Sequence, residues 1–385
     1  MLIAGEPSGD LLAAELVTAL RAELSAAPHF FGAGGPKLAQ AGVELALDLT
    51  QHSVIGLWEA VSNYPKFRRY FNQLLTLASE RRPDIVVCVD YQGFNSRFAA
   101  AVRERCRGIA GWTPRIVQYV SPQVWASRPG RAKRLAANVD LLLSIIPFEK
   151  AWYGERVPEL KVEVVGHPIV DRYHAGGRGS TRAKMTDGAG VEPGPPMVLL
   201  LPGSRVGELK RHLPPMLDAV REIQREEPAA TFRMVLPSEG LKKLADEASA
   251  LRVEVQVGGL ADALRAATVA IASTGTVTLE CAWFGVPTVA FYKTSGLTYA
   301  VGKRLVTVKF LAMPNLLAGE SVFPEFVQHE ATGPNLARAA LALLRDEPRR
   351  RAVKAQLAKV VESLGPPGAS NRAAKAVLKC AGVTG

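Results

Sequence analysis

The chain has 385 residues, 48% hydrophobic and 22% charged, with 47 Lys and Arg against 36 Asp and Glu for a net charge of +11. That length exceeds one ordinary core and predicts two domains, and the composition excludes a disordered or fibrous chain. Cys88, Cys106, Cys281 and Cys380 form no CxxC pair, and no apolar run approaches the roughly 20 residues that span a bilayer, so a disulfide framework, a metal site and a membrane span are not expected.

Strand-like and helix-like segments alternate from the first residues. Candidate strands in the first half are Leu2–Ala4, His29–Gly32, Ile85–Val89, Ile116–Val120, Leu141–Ile146 and Val162–Val165. The second half offers Val198–Leu201, Phe232–Leu236, Val253–Val257, Val269–Ala272 and Thr288–Phe291. Near-continuous Val, Ile and Leu runs between helical patterns indicate an α/β protein with two doubly wound parallel sheets. The stretch 175–196, rich in Gly, Ser, Thr and Pro, reads as a linker, and helical patterns follow at Leu336–Leu344, Arg349–Ser363 and Ser370–Cys380. These signals divide the chain into domains 1–170 and 197–345, a linker at 171–196, and C-terminal helices 346–385 expected to pack back towards the first domain.

Ligands of open α/β sheets bind beyond the carboxyl ends of strands, so the turns there carry the functional reading. The first turn, Gly5-Glu6-Pro7-Ser8-Gly9-Asp10, follows the first strand. Ser8 or Asp10 suits the cap of a helix starting at Leu11, while Glu6 has no capping duty. In Val89-Asp90-Tyr91-Gln92-Gly93-Phe94-Asn95, Asp90 ends an apolar strand, and a carboxylate there can act as general base. Capping of the next helix is the alternative for Asp90, with Asn95 better placed for that role. Ser121-Pro122-Gln123-Val124-Trp125 offers a hydroxyl, an amide and an indole for a sugar, although Trp125 could equally cover the core. Then comes Residues 57–82, where Trp58, Tyr64, Phe67, Tyr70 and Phe71 mix with Lys66, Arg68, Arg69, Arg81 and Arg82, an interfacial composition whose alternative is an amphipathic helix pair on the sheet.

In the second half, Pro202-Gly203-Ser204-Arg205 sets a guanidinium beside a helix start, a diphosphate clamp in character, with Glu208 serving the helix dipole. Thr268–Glu280 is a small apolar strand, then Ser273-Thr274-Gly275-Thr276, then a helix with Glu280 in its second turn. The turn suits a phosphate and Glu280 suits ribose hydroxyls. Gly32-Ala33-Gly34-Gly35 lacks the third glycine of a dinucleotide fingerprint, and Gly302-Lys303 is no P-loop. His167, in Gly166-His167-Pro168, reads as structural. The surplus of positive charge favours a polyanionic partner, but its dispersion argues against nucleic acid.

Together these turns resemble those of the lipid-A-disaccharide synthase family, glycosyltransferases of the two-domain GT-B architecture. The resemblance runs through Ala4–Asp10, Val89-Asp90 with Phe94-Asn95, Tyr119–Ala126, Pro147-Phe148-Glu149-Lys150, Val165–Pro168, Leu201–Arg205, Ser273–Thr276 with Leu279-Glu280, and Pro314–Gly319. It implies two facing Rossmann-like domains with a cleft between them. It also implies transfer from UDP-2,3-diacylglucosamine to 2,3-diacylglucosamine 1-phosphate, giving a β-1,6 disaccharide 1-phosphate and UDP, without metal or cofactor. Carried over, Asp90 is the catalytic base, Arg205 is important for activity, and Glu6 sits at the reaction cleft. Gly203, Ser204, Arg205, Ser273, Thr274, Gly275, Thr276, Glu280 and Asn315 belong to the donor side, and Ser8, Asn95, Ser121, Gln123 and Trp125 to the acceptor side. Ser127 stands where the family usually shows a second tryptophan, and Gly93 where an acid is common. The implied setting is the cytoplasmic face of the inner membrane of a Gram-negative bacterium, with peripheral contact through about 54–82, and a homodimer is compatible with it. Another GT-B enzyme acting on UDP-N-acetylglucosamine, a transferase or 2-epimerase, is the competing reading.

Overall fold

The computed structural model describes residues 1–25, 28–50, 64–174 and 194–383. The chain divides into two compact units, Met1–Ser180 with Leu364–Gly385, and Thr181–Ser363. The first holds a parallel sheet of seven strands: β1 Leu2–Ala4, β2 Phe31–Gly34, β3 Glu44–Asp48, β4 Ile85–Val89, β5 Arg115–Tyr119, β6 Leu141–Ser144 and β7 Val162–Val164, in the order β3-β2-β1-β4-β5-β6-β7. Alternate strand residues point to opposite faces, and helices cover both. Ile3, Val86, Cys88, Ile116 and Leu142 share a core with Leu74 and Ala78 of helix Tyr64–Arg81 and Phe98 and Val102 of helix Gln92–Arg107. Leu2, Ala4, Val87, Val89, Val117 and Leu143 pack with Leu16 and Leu20 of helix Pro7–Glu23 and Ala373 and Val377 of helix Ala369–Ala381.

Helix Pro7–Glu23 starts four residues before the expected Leu11, because Pro7 supplies a ready-made φ at the first helical position and needs no N–H partner there. Asp10 does not cap this helix. Buried, its carboxylate accepts from the backbone N–H groups of Gly35 at 2.7 Å, Lys37 at 2.9 Å and Leu38 at 3.1 Å, capping helix Pro36–Gln40 instead. Helix Tyr64–Arg81 turns Leu74 and Ala78 inward, and Phe71 meets Phe94 and Phe98 edge-on at 5.4 and 5.8 Å. The packed-helix alternative therefore accounts for these inner positions, while Lys66, Arg68 and Arg69 stay exposed. Residues 54–63, Trp58 among them, lie outside the described residues.

The second unit holds β8 Met197–Leu201, β9 Thr231–Leu236, β10 Val253–Val257, β11 Val269–Ser273, β12 Thr288–Tyr292 and β13 Glu325–Val327, all parallel, in the order β10-β9-β8-β11-β12-β13. Helices Val206–Glu226 and Gly333–Arg345 seal one face through Met216, Val220, Leu336 and Ala340, and helices Thr276–Trp283 and Glu347–Ser363 the other through Cys281, Ala282, Val353 and Leu357. The span expected as one C-terminal body thus separates at Leu364: helix Glu347–Ser363 belongs to the second unit and helix Ala369–Ala381 to the first. The expected linker begins inside helix Pro168–His174, and its residues 175–193 are outside the described set. His167 lies half-buried ahead of that helix, where its Nδ1 accepts from Ile169 N–H at 3.1 Å, and loss of water around the ring pushes its pKa down to about 3. No described helix is long and apolar enough to cross a membrane.

Candidate functional site

In the first unit the sheet order reverses between β1 and β4, so the crevice at their carboxyl ends is the topological switch point. The chain leaves β1 through Gly5 and Glu6, and β4 through Asp90 and Tyr91. The two turns interlock. A Cβ on Gly5 would fall 2.0 Å from Cδ1 of Tyr91, so only glycine lets that ring lie across the first turn. A Cβ on Gly9 would stand 3.4 Å from Cβ of Asp90. Glu6 is the N-cap residue of helix Pro7–Glu23 yet makes no capping bond with its side chain. Its charge reaches Tyr91, whose phenol pKa is raised first by burial and then by Glu6. Ser8, on the same turn, is exposed.

Asp90 and Tyr91 both take left-handed backbone, φ 50° and 42°, a cost of roughly 1–2 kcal/mol per residue. Surrounding amides fix that conformation. Asp90 N donates to Tyr119 O at 2.9 Å. Asp90 O accepts from Asn95 Nδ2 at 2.9 Å and from Gln118 Nε2 at 3.3 Å. Asn95, expected on the acceptor side, is fully buried, and its amide also reaches Val89 O at 3.1 Å. Those carbonyls require its nitrogen, which fixes the amide orientation. Asn95 and Gln118 therefore position Asp90 rather than face a ligand. Sequence reasoning passes over Gln118; its only signal is a polar residue inside an apolar strand.

The third turn is buried deeper than expected. Trp125 is 7% exposed, donates Nε1–H to Glu149 Oε1 at 2.8 Å and meets Phe148 edge-on at 4.9 Å. It is part of the core cover, not an open platform for a sugar ring. Ser121 is also buried, its Oγ donating to Tyr153 Oη at 3.2 Å, which in turn donates to Pro122 O at 2.9 Å. Glu149 has no solvent exposure, and its second oxygen accepts from Ser144 Oγ. Burial pushes its carboxyl up to about 7, against the opposing pull of hydrogen bonds from Ser144, Trp125 and Ser121. Gln123 remains exposed at the start of the short helix Val124–Ser127.

The second unit repeats the scheme between β8 and β11. Gly203 has φ +117°, and a Cβ there would stand 2.6 Å from Oε2 of Glu208. Glu208 serves more than the helix dipole: it accepts from Ser204 N–H at 3.2 Å and pairs with Arg205 Nη1 at 3.4 Å. Arg205 is the N-cap residue of helix Val206–Glu226, with 37% of its side chain exposed. His212, fully buried on the same helix, donates Nδ1–H to Pro202 O at 2.7 Å, while its Nε2 accepts from Lys293 N–H at 3.0 Å. Burial lowers its pKa, so a neutral ring straps the end of β8 to the end of β12. Its place among Leu209, Leu213 and Met216 on the inward helix face was the available sequence signal.

Ser273 is buried at the end of β11, and Thr274 N donates to Phe291 O at 3.0 Å. Gly275 and Thr276 are exposed, helix Thr276–Trp283 starts there without a side-chain cap, and Glu280 lies half-buried in its second turn. Two helix N-termini thus bring positive dipole ends to one edge of this sheet. Asn315 does not join them. It is fully buried, its Nδ2 donates to Phe323 O at 2.8 Å and Glu325 Oε1 at 2.7 Å, and its Oδ1 accepts from Val322 N at 2.9 Å and Phe323 N at 2.7 Å. With the amide's bonding capacity used, Asn315 shapes its loop and has nothing left for a direct donor contact. Among the described residues, no group of three His, Cys, Asp or Glu is arranged to hold a metal ion.

Two all-parallel α/β units, each with a Gly-bearing turn and a helix start at its switch point, define the GT-B class. Solved structures of that fold include a UDP-GlcNAc 2-epimerase from Neisseria meningitidis bound to UDP-GlcNAc, with TM-score 0.64 and 13% identity over 98% of each chain. A glycosyltransferase involved in lipopolysaccharide biosynthesis, WaaG, matches with TM-score 0.54 and 13% identity over 98% of this chain and 97% of its own. At those identities the likeness shows the fold alone. Sequence goes further: the model of the lipid-A-disaccharide synthetase family matches residues 1–380. Lipid-A-disaccharide synthases of Solibacter usitatus and Geobacter sulfurreducens are each 37% identical, over 98% and 99% of this chain and 96% and 97% of their own. The chain belongs to the lipid-A-disaccharide synthetase family.

Proposed function

We propose that the protein is an inverting glycosyltransferase that condenses UDP-2,3-diacylglucosamine with 2,3-diacylglucosamine 1-phosphate. The observation that carries this reading is the family match along residues 1–380. In the reaction, the 6-hydroxyl oxygen of the acceptor attacks the anomeric carbon of the donor, the carbon–oxygen bond to the diphosphate breaks, and UDP departs. Asp90 takes the hydroxyl proton. Its fixed backbone supports that role, because a positioned base is worth roughly 10²–10⁴ in rate. Glu6, one turn away, orients the acceptor. Arg205 and the helix starts at Val206 and Thr276 meet the charge that develops on the diphosphate, each fixed donor being worth about 10²–10³. Ser204, Ser273, Thr274 and Thr276 offer the phosphates their hydroxyls, and Glu280 takes the ribose.

Both substrates carry acyl chains, so the enzyme works on the cytoplasmic face of the inner membrane, touching anionic lipid through 54–82. The exposed Lys66, Arg68 and Arg69 support that contact.

The test is incubation with both substrates and separation of the lipid products. The wild type is expected to form disaccharide 1-phosphate, with kcat reduced roughly 10²–10⁴-fold in Asp90→Asn and about 10²–10³-fold in Arg205→Ala. Epimerisation of UDP-N-acetylglucosamine without acceptor, and no disaccharide, would favour the competing reading.

A further inference from the structure

Many arginines among the described residues sit against a carboxylate, among them Arg81 on Glu44, Arg103 on Asp140, Arg172 on Glu15 and Arg345 on Glu227. Arg97, Arg128, Arg131 and Arg134, like Arg68 and Arg69, are outside that set, and what separates the four is that they act on one another. All four are exposed, and none has an ion-pair partner among the described residues. Partial loss of water around the guanidinium, and then the charges of Arg128, Arg134 and Arg97, loosen the proton of Arg131.

The fold makes this grouping. Arg128, Arg131 and Arg134 recur at every third residue, with Arg131 N donating to Arg128 O at 3.0 Å. Ala132 and Leu135, between them, share the core with Phe98 and Val102 of helix Gln92–Arg107. Burying those two positions turns Arg131 and Arg134, one turn apart on helix Arg131–Ala136, outward, and Arg128 sits exposed in the segment just ahead of that helix. Arg97, next to Phe98, brings the fourth from the neighbouring helix. The group begins just past the Ser121–Trp125 turn at the carboxyl edge of β5, which pairs with the strand ending in Asp90.

Like charges gathered with no ion-pair partner among the described residues raise the energy of the free protein, and a dianion relieves it. Guanidinium forks match phosphate oxygens in shape as well as charge, whereas a neutral sugar takes hydrogen bonds from them but relieves none of the repulsion. We propose that Arg97, Arg128, Arg131 and Arg134 form a phosphomonoester site and, resting on the transferase reading above, that its occupant is the 1-phosphate of the acceptor sugar.

Calorimetric titration with glucosamine 1-phosphate, and with glucosamine as control, needs no turnover and so tests the site apart from the reaction. The wild type is expected to bind the phosphate ester and not the control. Arg131→Ala/Arg134→Ala is expected to lose at least tenfold in affinity, with Arg131→Lys/Arg134→Lys recovering part of it and all forms melting alike. In the assay the alanine pair is expected to raise KM for the phosphorylated acceptor at least tenfold and leave KM for the UDP-sugar unchanged. Equal affinity for the ester in wild type and alanine pair overturns the site. Loss of binding to phosphatidylglycerol vesicles with ester affinity unchanged also overturns it, making the cluster a headgroup contact. Intact ester binding in a protein that forms no disaccharide counts against the transferase reading alone.

Discussion

Glu149 puts a carboxyl where no water reaches it, and the consequence is a pH dependence that one substitution isolates. Its pKa rises from 4.5 to about 7, burial being the larger cause and hydrogen bonds from Ser144, Trp125 and Ser121 the opposing one. The proton is held in the folded chain and lost earlier in the unfolded one. The contribution to stability is therefore complete below pH 4.5, shrinks as pH rises and is gone above about pH 7, on the order of 3 kcal/mol across the window. Tyr153, the other titratable group on that helix facing the network, has its phenol pushed up by burial and stays neutral throughout. Thermal melts at intervals between pH 5 and 8 are expected to show the wild type losing stability with pH more steeply than Glu149→Gln. Equal slopes would show that the carboxyl keeps its ordinary pKa. The same bonds explain why Trp125 and Asn315 are poorly legible in sequence. An indole or an amide at a turn looks free to meet a ligand until its partners appear, and those partners, Glu149 for one and Phe323 and Glu325 for the other, are supplied by folding.

Helix Tyr64–Arg81 presents the element-scale version of that problem. Its composition suggests a surface that meets lipid, yet Leu74 and Ala78 are buried and Phe71 lies against Phe94 and Phe98. Of the basic residues at its start, Lys66, Arg68 and Arg69 remain outside. If those charges meet anionic headgroups at about 1 kcal/mol each, reversing all three should cost at least a hundredfold in vesicle affinity. Sedimentation with phosphatidylglycerol vesicles is expected to leave Lys66→Glu/Arg68→Glu/Arg69→Glu in the supernatant and bring down the wild type, with no change in melting temperature. A wild type that stays in solution with lipid would end the proposal for this helix. Among strands, legibility follows burial. The central ones, β1, β4, β8 and β11, lie between two helical layers and read as unbroken apolar runs. Edge position alone does not hide a strand, since β7 and β10 keep enough valine to be read; β3 and β13 pass unrecognised because Glu44, Asp48 and Glu325 interrupt their short apolar patterns. Sequence marks the ends of the central strands well, and Glu6, Asp90, Arg205 and Ser273 do stand at carboxyl edges. Their neighbours Gln118 and His212 escape notice because each acts through backbone carbonyls distant in sequence.

At the scale of the molecule the chain completes its first unit last. It builds seven strands, passes through the second unit, and returns at Leu364 to lay helix Ala369–Ala381 on helix Pro7–Glu23. The return is tied at both ends of the gap. Asp171 accepts from the backbone N–H groups of Gly368 and Ser370, and Arg372 donates to Val165 O at 2.8 Å and to Pro366 O and Pro367 O at the same distance. Ala373, Ala374, Val377 and Leu378 then fill the face of the first sheet that Leu16, Leu20 and Val117 share. Fully burying one Val or Leu is worth about 1.5–3 kcal/mol, so loss of this helix should cost the first unit several kcal/mol and the second unit little. Hydrogen exchange on a chain ending at Leu364 is expected to speed up at β5 and β6 and stay unchanged at β8 and β11. Because that truncation could unfold the first unit outright, Arg372→Ala supplies the graded version, removing three carbonyl ties while keeping the apolar face. Its exchange should quicken around Val165 and the residues of β6, with the second sheet as internal control. A uniform change across both sheets, from either variant, would mean that the returning helix supports the whole chain and that the two units do not open separately.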